Sequence, residues 1–329
     1  MTTHEIINIG HGDPTIFRSW WSQSHILPNI STQQIPLYEY QEEDFSRLIK
    51  ATHSFHELFG TDVATASIVY GNGSTQVINA VLYALSKKLK RSIVIGYEPP
   101  VYMLMHEFLL NCKMAEVTFD LERSDIDVEI VIDPNNPSGE HRIQKSNARY
   151  VIFDRAYNWP IYLDSDPVPT SSNPNHITVY TMSKVLGMGG LRLGWCFIND
   201  DDLTKEIKRA LYVIGICPNS FGMEASISIF NRFINDPDFK DYYISTMGIS
   251  IKNRRSIISL CPQFTVTNIT GPYAWIKAHN DDINIAEVLL QTYSIEVYSG
   301  VQFGSTANYA RLSLICDSED FNKAIKRLL

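Results

Sequence analysis

The sequence predicts an α/β protein built on a mostly parallel, doubly wound sheet. Segments rich in apolar and β-branched residues alternate with segments whose apolar residues recur at helical spacing, an order typical of this fold class. We expect a large domain over residues 43–214, a smaller α/β domain over 215–329, and an N-terminal arm over 1–42 that packs against the small domain and a dimer partner. The predicted strands are residues 66–70, 92–96, 128–132, 150–153, 177–180 and 194–198.

A glycine-rich turn follows the first predicted strand. The segment Gly71-Asn72-Gly73-Ser74-Thr75 separates that strand from an apolar pattern that suits a buried helix. Backbone N–H groups at the start of a helix bind anions, so we predict that this turn holds a phosphate. A dinucleotide-binding fingerprint is the competing interpretation, but Gln76 stands where its third glycine is required, and no P-loop lysine follows.

Polar side chains follow two further predicted strands. Asn136 comes after residues 128–132, and Asp154 and Tyr157 come after residues 150–153. Open α/β sheets hold their ligands at the carboxyl ends of the strands, so we expect an amide, a carboxylate and a phenol to converge on one crevice. Taken singly, a surface turn around Asn136 and a helix cap at Asp154 are the better interpretations.

One lysine stands beside small hydroxyl residues in Thr181-Met182-Ser183-Lys184, and Arg192 follows eight residues later among glycines. An amine on a flexible stem can form a Schiff base with an aldehyde, while hydroxyls and a guanidinium beside it can hold a phosphate. An aldehyde that carries a phosphate describes pyridoxal 5'-phosphate. We therefore predict this cofactor.

The ordered motifs G-x-G-S-T, P-x-Y, N-P-x-G, D-x-x-Y, S-K and R-x-G together resemble the fold-type-I pyridoxal-phosphate enzymes, the aspartate aminotransferase superfamily. Within that superfamily, the chain is most similar to the alliinase and tryptophan aminotransferase-related family. The likeness rests on Gly12-Asp13-Pro14-Thr15, on D-R-A-Y-N-W-P from Asp154, and on T-M-S-K from Thr181. It spans nearly the whole chain and implies a fold-type-I, pyridoxal-phosphate-dependent transferase with a smaller α/β domain.

The resemblance implies roles for individual residues. Lys184 matches the lysine that forms the Schiff base and moves the substrate Cα proton. Asp154 matches the carboxylate paired with the ring nitrogen, and Asn136 and Tyr157 match the partners of the phenolic ring oxygen. Lys184, Asp154 and Tyr157 are thus the expected catalytic residues. The phosphate shell is matched by Gly73, Ser74, Thr75, Thr181 and Arg192.

The same resemblance places three residues at the edges of the site. Tyr102, two residues after Pro100, matches the aromatic side chain that stacks on the cofactor ring. Arg311 matches the arginine that takes the substrate α-carboxylate in a bidentate pair. Dimers of this fold usually send a tyrosine to the phosphate of the neighbouring subunit, and we expect a homodimer with Tyr40 in this role and Tyr38 as the alternative.

The leading functional prediction is transamination, in which an L-amino acid gives its amine to the cofactor and a 2-oxo acid takes it back. The family likeness and the aromatic residues Phe17, Trp20 and Trp21 favour an aromatic or hydrophobic donor such as tryptophan, phenylalanine or methionine. Core packing explains this aromatic cluster equally well. The alternative activity is a C–S lyase of the alliinase type, because both reactions begin with proton removal by Lys184. A non-catalytic pyridoxal-phosphate-binding sensor is the third interpretation.

The composition limits the other classes of partner. The 329 residues carry a formal net charge of −8, and no Lys/Arg run suggests a nucleic-acid-binding arm, which argues against nucleic acid and favours small-molecule amino-acid and 2-oxo-acid substrates. The five cysteines are scattered, without the spacing of a metal site or a disulfide framework, so we expect no metal. No apolar run approaches the ~20 residues of a membrane helix. With no basic segment at the start of the chain, we expect a cytoplasmic location.

Overall fold

The structure is a computed structural model, and it describes residues 5–23, 45–61, 63, 66–102, 107–268 and 270–329. The strands in chain order are β1 (Ile7–Asn8), β2 (Ser67–Gly71), β3 (Ile93–Gly96), β4 (Ala115–Thr118), β5 (Val128–Ile132), β6 (Tyr150–Asp154), β7 (His176–Thr181), β8 (Gly194–Ile198), β9 (Thr265–Asn268), β10 (Tyr273–Lys277), β11 (Ile295–Glu296), β12 (Tyr298–Ser299) and β13 (Tyr309–Ser313). The helices are α1 (Phe17–Gln23), α2 (Ser46–Leu58), α3 (Ser74–Leu89), α4 (Glu107–Asn111), α5 (Met182–Val185), α6 (Asp201–Gly215), α7 (Ser220–Asn235), α8 (Pro237–Ile258), α9 (Ile285–Tyr293) and α10 (Ser318–Leu328).

The central element is a seven-stranded sheet with the order β2-β8-β7-β6-β5-β3-β4. Strand β8 runs antiparallel to both β2 and β7, while the other neighbouring strands run parallel. The predicted fold class is therefore confirmed, and each of the six predicted strands is present. Strand β4 was not predicted, because it lies at the sheet edge with Glu116 exposed and lacks the apolar run of a central strand.

This strand order positions the polar residues that the sequence singled out. Asp154 is the last residue of β6 and Thr181 the last residue of β7, and Asn136 lies four residues beyond the end of β5. Because β5, β6 and β7 are consecutive parallel neighbours, their carboxyl ends meet at one edge of the sheet. Helix α3 starts at Ser74, directly after the turn that follows β2.

A second, antiparallel sheet has the order β12-β13-β10-β9. The arm is joined to this part of the chain through β1, which pairs in parallel with β11. The strands of the large sheet thus lie between residues 67 and 198, and those of the second sheet between 265 and 313. The boundaries at 42/43 and 214/215 stay predictions.

The five cysteines are free thiols. Across the described ranges, no group of three or more potential metal-ligating side chains comes together. In that same part of the chain, no helix has the length and apolar character that crossing a membrane requires.

Candidate active site

A cavity of about 840 Å³ opens at the carboxyl ends of the large sheet, and the arm and the second sheet contribute to its wall. The structure brings together every predicted site residue that it describes. Gly73 packs against Arg192 at the edge of the cavity. Tyr40 and its alternative Tyr38 lie outside the described residues. The other predicted residues line the cavity directly: Ser74, Thr75, Tyr102, Asn136, Asp154, Tyr157, Thr181, Lys184, Arg192 and Arg311.

Two glycines shape one end of the cavity into a cradle. Gly73 has a φ of +87°, and a Cβ there would lie 2.4 Å from Nη2 of Arg192. A Cβ on Gly194 would lie 2.3 Å from the backbone nitrogen of Ser74. No side chain caps the start of α3, so its first N–H groups are available to an anion. The cradle therefore fits a phosphate with Arg192 beside it.

Lys184 is presented by α5, a single helical turn. Thr181 caps this turn, because its hydroxyl accepts a hydrogen bond from the Ser183 N–H at 3.2 Å. The ammonium Nζ of Lys184 donates to the Gly12 carbonyl at 2.6 Å and lies 5.9 Å from the centroid of the Tyr157 ring. The lysine amine is thus held inside the cavity between the arm and the end of β6.

Asp154 is a buried carboxylate on the floor of the cavity. Burial raises the pKa of Asp154 to about 6, although the Ala156 N–H, which donates to it at 3.1 Å, and the Lys184 charge both oppose this rise. Few hydrogen bonds or charges offset the desolvation of this carboxylate, so a cation placed against it would stabilise its ionised form. The position suits a protonated ring nitrogen.

Two phenols add hydrogen-bonding groups to the cavity. The hydroxyl oxygens of Tyr157 and Tyr273 are 2.6 Å apart. Burial raises the pKa of Tyr157 well above its ordinary value, so Tyr157 keeps its proton and can donate it in a hydrogen bond. Burial also raises the pKa of Tyr102, while the Arg311 charge opposes this rise.

Arg311 is a buried cation that the second sheet delivers to the cavity. Its Nη1 donates to Oδ1 of Asn136 at 2.8 Å, and its Nη2 donates to the Gly10 carbonyl at 2.7 Å. Within the described part of the chain, its Nε has no hydrogen-bond partner. A buried guanidinium with donor capacity left over fits a carboxylate ligand.

The aromatic residues of the arm divide between two roles. Phe17 and Trp21 line the cavity, and the Trp21 indole N–H donates to the Leu186 carbonyl at 2.7 Å. Trp20 is absent from the lining and packs against α8, with ring-centroid distances of 5.1 Å to Tyr242 and 5.5 Å to Tyr243. Core packing therefore accounts for Trp20. Phe17 and Trp21 instead form part of the cavity wall.

Several cavity residues were missed by sequence reasoning. Gly10 and Gly12 act through backbone carbonyls, which carry no signal in a sequence. Tyr273 and Tyr298 come from the second sheet, and Arg18 from α1. None of the three belongs to a local motif, although the apolar alternation around Tyr273 could have placed it on a strand.

The donor set fits pyridoxal 5'-phosphate on the evidence of the molecule itself. The glycine cradle with the uncapped helix start suits the phosphate, the Asp154 carboxylate suits the ring nitrogen, and the Lys184 amine suits the aldehyde. Fold and site together define the class of fold-type-I pyridoxal-phosphate-dependent proteins.

Comparisons with known proteins agree with this class. Residues 7–224 match the family described as Allinase, and residues 141–328 match Aminotransferase class I and II. The chain belongs to the alliinase family, and its C-terminal part matches the class I and II aminotransferases. Both families depend on pyridoxal 5'-phosphate.

Individual relatives are distant in sequence but cover nearly the whole chain. Tryptophan aminotransferase-related protein 1 of Oryza sativa subsp. japonica is 26% identical over 375 residues, spanning 100% of this chain and 83% of the relative. Alliin lyase 1 of Allium sativum is 23% identical, spanning 96% of this chain and 73% of the relative. The structure of an aspartate aminotransferase from Rhizobium meliloti shares the fold with a TM-score of 0.72 at 16% identity, covering 98% of this chain and 90% of the other.

Proposed function

We propose that the protein is an aminotransferase that moves the amine of an aromatic or hydrophobic L-amino acid to a 2-oxo acid. The observation that carries the proposal is the meeting, in one cavity, of the Lys184 amine, the buried Asp154 carboxylate and the buried Arg311 guanidinium. These three groups supply a base, a partner for a cationic ring and a carboxylate receptor.

Three residues of the chain have separate roles in the proposed reaction. Pyridoxal 5'-phosphate, when bound, supplies an aldehyde and a ring that draws electrons away from the substrate Cα. Arg311 binds the α-carboxylate and thereby orients the amino acid. The Lys184 amine would act as the base that takes the Cα proton and returns it. Asp154, held as an anion by a paired cation, keeps the ring nitrogen protonated.

The cavity wall supports an aromatic or hydrophobic side chain. Phe17, Trp21 and Tyr102 provide aromatic surface near Lys184, and the volume of about 840 Å³ lies within the range of ligand pockets. The aromatic part of the wall favours such side chains, because burying apolar area against it is favourable and makes no polar demand. The names of the tryptophan aminotransferase-related relatives support the same substrate class.

A C–S lyase is the second candidate, supported by the match to the Allinase family and to the alliin lyases. Absorption spectra of the purified holoprotein, recorded with amino acids added one at a time, separate the two activities. Transamination converts the lysine-bound cofactor band into a pyridoxamine phosphate band and needs a 2-oxo acid to reverse. A lyase acting on an S-substituted cysteine expels the sulfur-containing substituent, releases pyruvate and ammonia from the remainder, and leaves the original band in place.

Substitutions on the arm are expected to change the ranking of amino donors. Trp21→Leu removes aromatic surface from the cavity wall, so kcat/KM for tryptophan should fall roughly 10-fold more than kcat/KM for alanine. Trp20→Leu is the matched control, because Trp20 is the adjacent residue but packs on α8. An unchanged ranking in Trp21→Leu would remove the structural argument for aromatic substrates.

Arg311→Lys should lower kcat/KM for all amino donors in the same assay without changing their ranking. A lysine offers a point charge in place of a planar fork, so every α-amino acid should lose a similar factor of roughly 10- to 100-fold in kcat/KM. The α-carboxylate is common to all donors, and the ranking should therefore be preserved.

The dimer is part of the proposal because the site borders an exposed apolar surface. Val213 and Ile214 at the end of α6 and Phe221 at the start of α7 are 66%, 53% and 52% exposed. This surface is tied to the phosphate cradle, since the Asn219 N–H donates to Oδ1 of Asn72 at 3.1 Å. Exposed large apolar side chains that lie close together in the chain support a subunit interface here.

We expect the protein to be a homodimer and Val213→Glu to dissociate it, as measured by light scattering, with loss of cofactor affinity. Ile143→Glu is the control, because Ile143 is 75% exposed and lies outside the cavity lining.

Mixing inactive Lys184→Ala chains with Tyr40→Ala chains should restore part of the activity, since one site of the mixed dimer then has both residues. The same mixture with Tyr38→Ala tests the alternative. A monomer that binds the cofactor and turns over would contradict the proposal.

A further inference from the structure

Tyr273 occupies a position between the two parts of the site. It is the first residue of β10 and is completely buried, and its ring meets the Tyr157 ring edge to face with centroids 5.6 Å apart. Its hydroxyl oxygen lies 2.6 Å from the Tyr157 hydroxyl oxygen. This hydrogen bond joins the second sheet to the segment that follows β6.

The antiparallel register fixes Tyr273 beside Arg311. Arg311 pairs with Trp275, two residues along β10, so Tyr273 and Arg311 are diagonal neighbours on one face of the sheet. The guanidinium carbon lies 4.3 Å from the centroid of the Tyr273 ring. A cation at this distance attracts the ring and holds it in place.

Proton counting then sets the direction of the bond between the two phenols. Each tyrosine hydroxyl has one proton to donate. When Tyr157 gives its proton to an oxygen in the cavity, its bond to Tyr273 persists only if Tyr273 is the donor.

We propose that Tyr273 is a positioning residue that donates a hydrogen bond to Tyr157 and so directs the Tyr157 proton into the cavity. A hydroxyl that accepts a hydrogen bond is itself a stronger donor. With pyridoxal 5'-phosphate bound, its phenolic ring oxygen would accept the Tyr157 proton, and a stronger hydrogen bond to that oxygen would lower the proton affinity of the cofactor's conjugated system. The inference rests on the role proposed for Tyr157.

The test is a pH titration of the absorption spectrum of the full-length holoprotein, without substrate. Tyr273→Phe keeps the ring and its contact with Arg311 and removes only the hydroxyl. We expect the midpoint of the spectral change to rise, corresponding to a roughly three- to tenfold higher proton affinity, in the same direction as Tyr157→Phe and by less. The double variant should match Tyr157→Phe alone, because Tyr273 acts through Tyr157.

Tyr70→Phe is the matched control. The Tyr70 hydroxyl donates to the Thr52 hydroxyl at 2.9 Å, also between buried side chains, and Tyr70 does not line the cavity. This variant should leave the midpoint unchanged. If Tyr273→Phe folds poorly, Tyr273→Leu supplies the same measurement and should shift the midpoint at least as far.

The outcomes separate the inference from the proposed function. An unchanged midpoint in Tyr273→Phe, or a double variant in which the two shifts add, would overturn the role of Tyr273. A Tyr157→Phe variant without any shift would instead overturn the role of Tyr157, on which the inference depends. Neither result depends on which amino acid the protein accepts.

Discussion

Lys184→Ala is expected to abolish covalent attachment of the cofactor and to reduce turnover by at least about 10⁴-fold. The variant loses the amine that reaches the cavity and with it the base that moves the Cα proton. Borohydride reduction of the wild-type holoprotein followed by peptide mapping should place the label on Lys184. Lys205→Ala is a suitable control, because Lys205 lies on α6 with its side chain 75% exposed. Label on any other lysine would contradict the assignment of Lys184 as the lysine that binds the cofactor covalently.

Asp154→Asn should keep the covalent attachment and lose turnover by roughly 10²- to 10³-fold. A neutral amide cannot stabilise a protonated ring nitrogen as an ionised carboxylate does, so the ring withdraws fewer electrons. Retained attachment, measured by the same borohydride procedure, separates this defect from loss of binding. A rate near that of the wild-type protein would refute the role of Asp154.

The same variant has a pH signature in the cofactor-free protein. The pKa of Asp154 is about 6 when folded and 3.8 in its ordinary state, so the folded protein binds more protons between these values. Wild-type stability should therefore fall relative to Asp154→Asn as pH rises from about 4 to about 6, by on the order of 3 kcal/mol, and the difference should stay constant above that window. Urea unfolding of both proteins across this range measures it.

The sequence predicted the parts of the fold and site that depend on local order. Strands β2, β5 and β6 each end in a polar or glycine-rich segment, and ligand positions in an open α/β sheet follow from such strand ends. The residue pattern around Lys184 predicted a Schiff-base lysine, and the family likeness then predicted a carboxylate-binding role for Arg311. These predictions needed no knowledge of how distant segments pack.

The remaining features depend on contacts that no local pattern encodes. Trp20 and Trp21 differ by one position on α1, about 100° of helix rotation, and only the packing of α1 against α8 decides which of them faces the cavity. The carbonyls of Gly10 and Gly12 meet side chains more than 170 residues away. Tyr273 depends on the register of β10 and β13.

Cofactor binding depends on the placement of the antiparallel strand β8 in the large sheet. Gly194 reaches the amide of Ser74 only when β8 has been inserted between β2 and β7, which are separated by more than 100 residues of chain. The unfolded chain and any fragment that lacks β8 are without the Gly194 side of the phosphate cradle, so we expect the cofactor to bind the completed sheet in preference to its precursors. Binding energy is then added to the native state alone. At a free cofactor concentration 100 times its Kd, this linkage stabilises the native protein by about 2.7 kcal/mol. The supply of cofactor therefore affects how much of the protein is folded.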